Sequence, residues 1–141
     1  MKIGAISVVI LSYLLIACTN SAHQPTASPV TGKLLELSGH SANDCGIILL
    51  NTGLETGWDC AVENDADAHP FWLAVQTGGI DSDTWRAIGR AKNGDRYVLS
   101  YDARPGGSPG LNPRVTVENC TGNFEWSHQE AYVLGCSGSA P

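Results

Sequence analysis

Four cysteines, Cys45, Cys60, Cys120 and Cys136, constrain this chain more than any other feature. Their spacings of 15, 60 and 16 residues lack the Cys-x-x-Cys pairs of a structural zinc site, so no metal is expected. An even number of cysteines in an exported chain reads as two disulfides. Three connectivities are open. Cys45–Cys60 with Cys120–Cys136 is favoured because each bond closes a short loop between adjacent elements, and each such loop contributes about 3 kcal/mol in the chain-entropy account.

Export is read from the N-terminus. Lys2 precedes an apolar run of 14 residues, Ile3 to Ile16. A membrane span takes about 20 residues, so the run is too short to cross and has the form of a secretory signal. It ends in Leu15-Ile16-Ala17-Cys18. These four residues resemble the lipobox of bacterial lipoproteins: Leu, a tolerated residue, a small residue, then an obligatory Cys. The resemblance implies that Cys18 receives a diacylglyceryl group, that a peptidase cuts before it, and that the new amine is acylated by a palmitate-like chain. Two or more chains hold a protein stably where one does not. Thr19, in place of an Asp, implies sorting to the outer membrane, with the domain facing the periplasm or the cell surface.

The expected division is 1–17 signal peptide, 18–32 lipidated tether and 33–141 one domain. Residues 19–32 are rich in Pro, Ser and Thr and cannot bury a core. Lys33 to Leu37 reads as a short strand or the end of the tether. The mature part, of 124 residues, suffices for one domain with a modest core. Without Lys2 it carries 7 Lys+Arg against 14 Asp+Glu. An acidic chain lacking a basic cluster argues against nucleic acid as a partner; attachment to the membrane would come from lipid.

The domain reads as α+β: one helix on a mostly antiparallel sheet of four to six strands, clipped by two disulfides. Gly46 to Leu50 suits a strand buried on both faces. Thr52-x-x-Glu55 is a capping box, and Leu54, Trp58, Ala61, Val62 and Ala66 follow at helical spacing until Pro70 ends the helix. Gly57 should weaken it by about 1 kcal/mol. Phe71 to Thr77 is apolar on both faces and belongs inside the sheet. Trp85 to Ala91 and Arg96 to Tyr101 form a hairpin around Asn93-Gly94. A three-residue loop with Gly94 left-handed sets Trp85 opposite Tyr101, Ala87 opposite Leu99 and Gly89 opposite Tyr97. It keeps the apolar set on one face, at the cost of setting Arg90 against Arg96. Arg104 to Pro113 is a loop, Val115 to Cys120 a strand, and Tyr132 to Leu134 a last strand closed by Cys136. The rhythm CGIILL…DCA…PFWLAVQTGGIDS resembles Gram-negative lipoproteins of unassigned activity and implies no function.

No catalytic set emerges, and no cofactor is expected. Gly106-Gly107-Ser108-Pro109-Gly110 matches a nucleophile elbow in letters only. The residue after the Ser must donate its amide to the oxyanion, and Pro109 has none. Asp65-x-Asp67-x-His69 and Asp81-x-Asp83 fail the calcium-loop pattern. They would serve a small hydrolase only if the fold made them converge. Asn119-Cys120-Thr121 is a formal glycosylation sequon without meaning in a bacterial lipoprotein. Charge is segregated: nine acids lie between Lys33 and Arg86, and six of the eight basic residues lie from Arg86 to Arg114. A dipolar surface of that kind steers partners. Arg86 and Arg90 beside Ile88, with Arg104 and Ser108 in the loop, are the candidate binding surface for an envelope protein. The expectation is a non-enzymatic binding or structural module. The alternative is an inhibitor of a lytic enzyme, lysozyme or a protease, with the loop Arg104 to Pro113 as its wedge.

Overall fold

The structure, a computed structural model, describes residues 28–50, 52, 55–107, 110–126 and 135–137. Five strands form one sheet in sequential order: β1 (Asn43–Ile48), β2 (Phe71–Gly78), β3 (Asp83–Arg90), β4 (Arg96–Asp102) and β5 (Arg114–Cys120). β1 runs parallel to β2, and every later pairing is antiparallel. A parallel pair needs a crossover, and α2 (Glu55–Ala66) supplies it. A second helix, α1 (Thr31–Ser38), lies on the opposite face. Two short strands, β6 (Phe124–Glu125) and β7 (Gly135–Cys136), pair beside α2. The fold is therefore α+β as expected, with one helix more than the sequence announced.

α1 lies where a strand or a tether end was expected. Val30, Leu34 and Leu37 fall at helical spacing, and burial sets the helix's place: Val30 and Leu34 sit against Trp72, Ala74, Trp85, Ala87, Tyr97 and Leu99. Ser28 and Val30 are already buried, so packing extends N-terminal to the expected Lys33. Ser38, at the end of α1, donates its hydroxyl to the Phe71 carbonyl at 3.1 Å and bonds the Tyr97 hydroxyl. That hydroxyl lies in the space Gly89 leaves: a Cβ there would meet the Tyr97 ring and the Phe71 carbonyl at 2.8 Å.

β1 corrects a second expectation. It is an edge strand, and Leu49 and Leu50 are exposed rather than doubly buried. Its register slips by one residue between Asp44 and Ile47. Gly46 takes φ +101°, and its amide is held by the Asp44 carboxylate at 2.8 Å. The bulge turns both Cys45 and Ile48 toward α2, where strict alternation would oppose them. Cys45 then reaches Cys60 one layer away, with Cα atoms 5.5 Å apart. Gly57 is a close-approach residue, not a mere weakness, since a Cβ would lie 2.8 Å from the Cys45 carbonyl.

α2 buries Trp58 and Ala61 on Phe71, Leu73, Val75, Ile88 and Val98. The next inward position is Asp65, while Ala66, expected inside, is exposed. The Thr52 hydroxyl donates to the Leu49 carbonyl at 2.7 Å and accepts its amide at 3.1 Å. Leu54 and the Glu55 side chain, parts of the expected cap and apolar face, lie outside the described residues. The helix ends in a Schellman motif: the His69 amide donates to Asn64 at 2.8 Å and the Ala68 amide to Asp65 at 3.2 Å, with Ala68 left-handed at φ 59°. Pro70 then leads into β2.

The hairpin has the expected register, with Trp85 opposite Tyr101, Ala87 opposite Leu99 and Gly89 opposite Tyr97. Ala91 and Asp95 close the turn at 2.8 Å, and Gly94 is left-handed at φ 95°. The second disulfide, Cys120–Cys136, ties β5 to β7 as expected, again with Cα atoms 5.5 Å apart. It holds Phe124 over the core in edge contact with Phe71 at 6.0 Å and Trp126 at 5.5 Å. The strand expected at Tyr132 to Leu134 lies outside the described residues.

Candidate functional site

α2 and β6 cover only half of the sheet face they pack on. Among the described residues, the half left uncovered is made by the far ends of β2, β3 and β4 and by β5. Two transverse rows form its floor. One runs Thr77, Thr84, Asp102, Arg114, and the next runs Arg86, Ser100, Thr116. With Glu118 they line an open hollow of about 460 Å³. Thr77 and Thr84 are tied together, their hydroxyls 3.0 Å apart. The floor thus presents four hydroxyls, two guanidinium groups and two carboxylates. Such a set can hydrogen-bond and charge-pair with a polar partner along the sheet.

A second depression of about 210 Å³ shares Asp102 and is bounded by Ile80, Asp81, Ser82, Arg104, Gly106 and Gly107. It lies between the β2–β3 turn and the loop after β4. The Asp102 carboxylate accepts the Arg104 amide at 2.8 Å and fixes the loop's departure. Ile80 at the turn tip is wholly exposed and Leu111 is largely so.

The structure divides the residues singled out in the sequence. Arg86 and Arg104 come to the same end of the sheet, on either side of Asp102. Ser108 lies outside the described residues. Arg90 does not belong to a binding face. It points under the end of α2, where Asp65 accepts Arg90 Nη1 at 3.2 Å and Arg96 Nε at 2.7 Å. The Asp65 side chain is only 10% exposed and that of Arg90 15%. This carboxylate resolves the awkward Arg90–Arg96 pairing. Ile88, expected on the same face, is fully buried beneath α2. Sequence reasoning missed the structural role of Asp65 because the residue stands in an acidic run that resembles a cation-binding fragment. Its signal was position: seven residues beyond Trp58, on the helix's inward stripe.

The acids once considered for hydrolysis do not converge. Asp65 is occupied by two arginines, Asp67 and His69 are exposed at the end of α2, and Asp81 and Asp83 lie at the other end of β2. Asp83 accepts Gln76 Nε2 and Trp85 Nε1, both at 3.0 Å. Among the described residues no group of three or more His, Cys, Asp or Glu could hold a metal ion, and no helix is long and apolar enough to cross a membrane.

No family model, curated protein or solved structure matches this chain.

Proposed function

We propose that the chain is an outer-membrane lipoprotein, anchored through acyl groups on Cys18, whose domain is a non-enzymatic module binding another component of the cell envelope. The lipobox-like Leu15-Ile16-Ala17-Cys18 supports the anchor. The observation that carries the binding role is the half of the sheet that neither α2 nor β6 covers, with Thr84, Arg86, Ser100 and Asp102 on its floor. A flat floor of hydroxyls and both charges favours a polar macromolecular surface over an apolar small molecule. A photoreactive residue placed at Ser100 should give a reproducible adduct in intact envelopes, whereas one at Asp59 on α2 should not. Equal labelling from both sites, or none from Ser100, removes the reading. Independently, a labelled fatty acid should enter the native chain and not Cys18→Ser.

A second reading, inhibition of a lytic enzyme, is favoured by the exposed Ile80, which shares a depression with Arg104, and by the exposed Leu111 on the loop before β5. Exposed apolar residues on constrained loops are what an inhibitor inserts into a cleft. Undiminished lysozyme and protease activity in micromolar excess of the purified protein would end it.

A further inference from the structure

Beyond the envelope role, β5 carries a pattern that the binding reading does not use. It is the last strand of the sheet, and no described strand pairs with its outer edge. Its seven residues, Arg114-Val115-Thr116-Val117-Glu118-Asn119-Cys120, place two opposite charges on one face and two valines on the other. Val115 is 46% and Val117 38% exposed, on a strand whose unpaired amides and carbonyls are a template for another strand.

The sequence of this edge is self-complementary. Set two copies antiparallel about a two-fold axis at Thr116. Arg114 of each then faces Glu118 of the other on the hollow's face. Val115 of each faces Val117 of the other on the α1 face, and Thr116 meets Thr116. Moving the axis by one residue destroys the match. Centred on Val117, Arg114 faces Cys120 and Glu118 faces Thr116. Centred on Val115, Val117 faces Pro113, which has no amide to give. Only one register pairs both charges with their opposites and both valines with each other. Opposite charges and apolar pairs directly across strands are the units of sheet stabilisation.

We infer that the chain self-associates through β5, in the Thr116-centred antiparallel register, into a dimer with one continuous ten-stranded sheet. The occupant of the edge is a second copy because the charge pattern matches itself. Such a two-fold keeps like faces together, so the two hollows, each lined by Arg114, Thr116 and Glu118, adjoin across the seam. A single strand pairing is a small interface, and interfaces below about 1,200 Å² belong to the weak class. Association is therefore read at high protein concentration.

The test is sedimentation equilibrium of the purified full-chain product, up to the concentration of an NMR sample. The parent should associate and weaken in high salt, since its pairs are exposed. Arg114→Glu places Glu against Glu118 twice, and Glu118→Arg places Arg against Arg114 twice. Each should weaken self-association by about tenfold or more. An equimolar mixture of the two variants restores both pairs and should associate like the parent, which also shows that both variants are folded. A parent that stays monomeric throughout overturns the inference. So does a mixture of two folded variants that remains as weak as its parts.

Discussion

Asp65 closes a charge problem that the hairpin creates. Arg90 and Arg96 are cross-strand neighbours, and like charges directly opposite are destabilising. One carboxylate from the last turn of α2 accepts from both, while the Arg96 guanidinium also lies 5.8 Å from the centre of the Phe124 ring. Removing one member of a buried ion cluster leaves the others desolvated and unpaired. Asp65→Ala should therefore lower stability by about 3–5 kcal/mol, read from the urea midpoint; a loss under about 1 kcal/mol, the range of an exposed pair, would mean that the arginines find water or other partners. Tyr97 makes a second residue-scale prediction. Burial pushes its phenol up from 10.0 to about 12, against a smaller downward pull from the Ser38 hydrogen bond. The folded chain thus holds the proton more tightly than the unfolded chain. Its contribution is complete below pH 10 and is lost as the pH rises toward 12, an effect of about 2–3 kcal/mol. Unfolding free energy should fall across that window in the parent and fall less in Tyr97→Phe; parallel pH profiles would count against the assignment.

At the scale of elements, two devices hold the layers in place, and each can be removed alone. The C-terminus of α2 uses Ala68 in a left-handed conformation at φ 59°, which glycine adopts without steric cost. Ala68→Gly should raise stability by about 0.5–1 kcal/mol, because relief of strain exceeds the added chain entropy; a lower thermal midpoint would refute that balance. The β6–β7 ribbon has only two residues in each strand and is too short to stand alone. It is held by Cys120–Cys136 and by the aromatic contacts of Phe124 and Trp126 with Phe71 and Trp58. Replacing both cysteines by Ala should cost about 3 kcal/mol for a loop of this length. It should also shift tryptophan fluorescence as Trp126 leaves the Trp58 edge, now at 5.3 Å. Loss of stability without a spectral change would mean that the aromatic contacts alone suffice.

At the scale of the molecule, the sheet is shielded unequally. α1 and α2 cover β2, β3 and the start of β4, and among the described residues β5 is left with one edge and much of both faces open. The hollow and the loop depression share one end of the sheet, and the Asp65 cluster lies at the other, where Arg96 pairs with Cys120 of β5. Packing also extends N-terminal to Lys33. A chain beginning at Ser28 should keep the parent's unfolding midpoint. One beginning at Lys33 loses Val30 and the first turn of α1 and uncovers part of the Trp72 and Trp85 surface, at a cost of about 2–4 kcal/mol. Equal midpoints for the two chains would show that α1 contributes little.

The sequence by itself determined what depends on near neighbours and on alternation. The hairpin register followed from Gly94 and from the rule that a one-residue slip flips every side chain. The two disulfides followed from loop length, the end of α2 from Pro70, and the interior place of β2 from its two apolar faces. Only the tertiary structure decided the rest. TGKLLELS holds good helix formers in Lys33 to Leu37, but an eight-residue helix is marginal alone, and it is fixed where Val30 and Leu34 find the Trp72–Trp85 surface. The bulge at Gly46, which turns Cys45 and Ile48 to one side, depends on the parallel pairing with β2. The inward position of Asp65 on α2 was legible in the sequence, but its partners were decided only where Arg90 and Arg96 of the β3–β4 hairpin meet it. Which half of the sheet stays open is likewise a property of where two helices come to rest, and no local stretch of the chain encodes it.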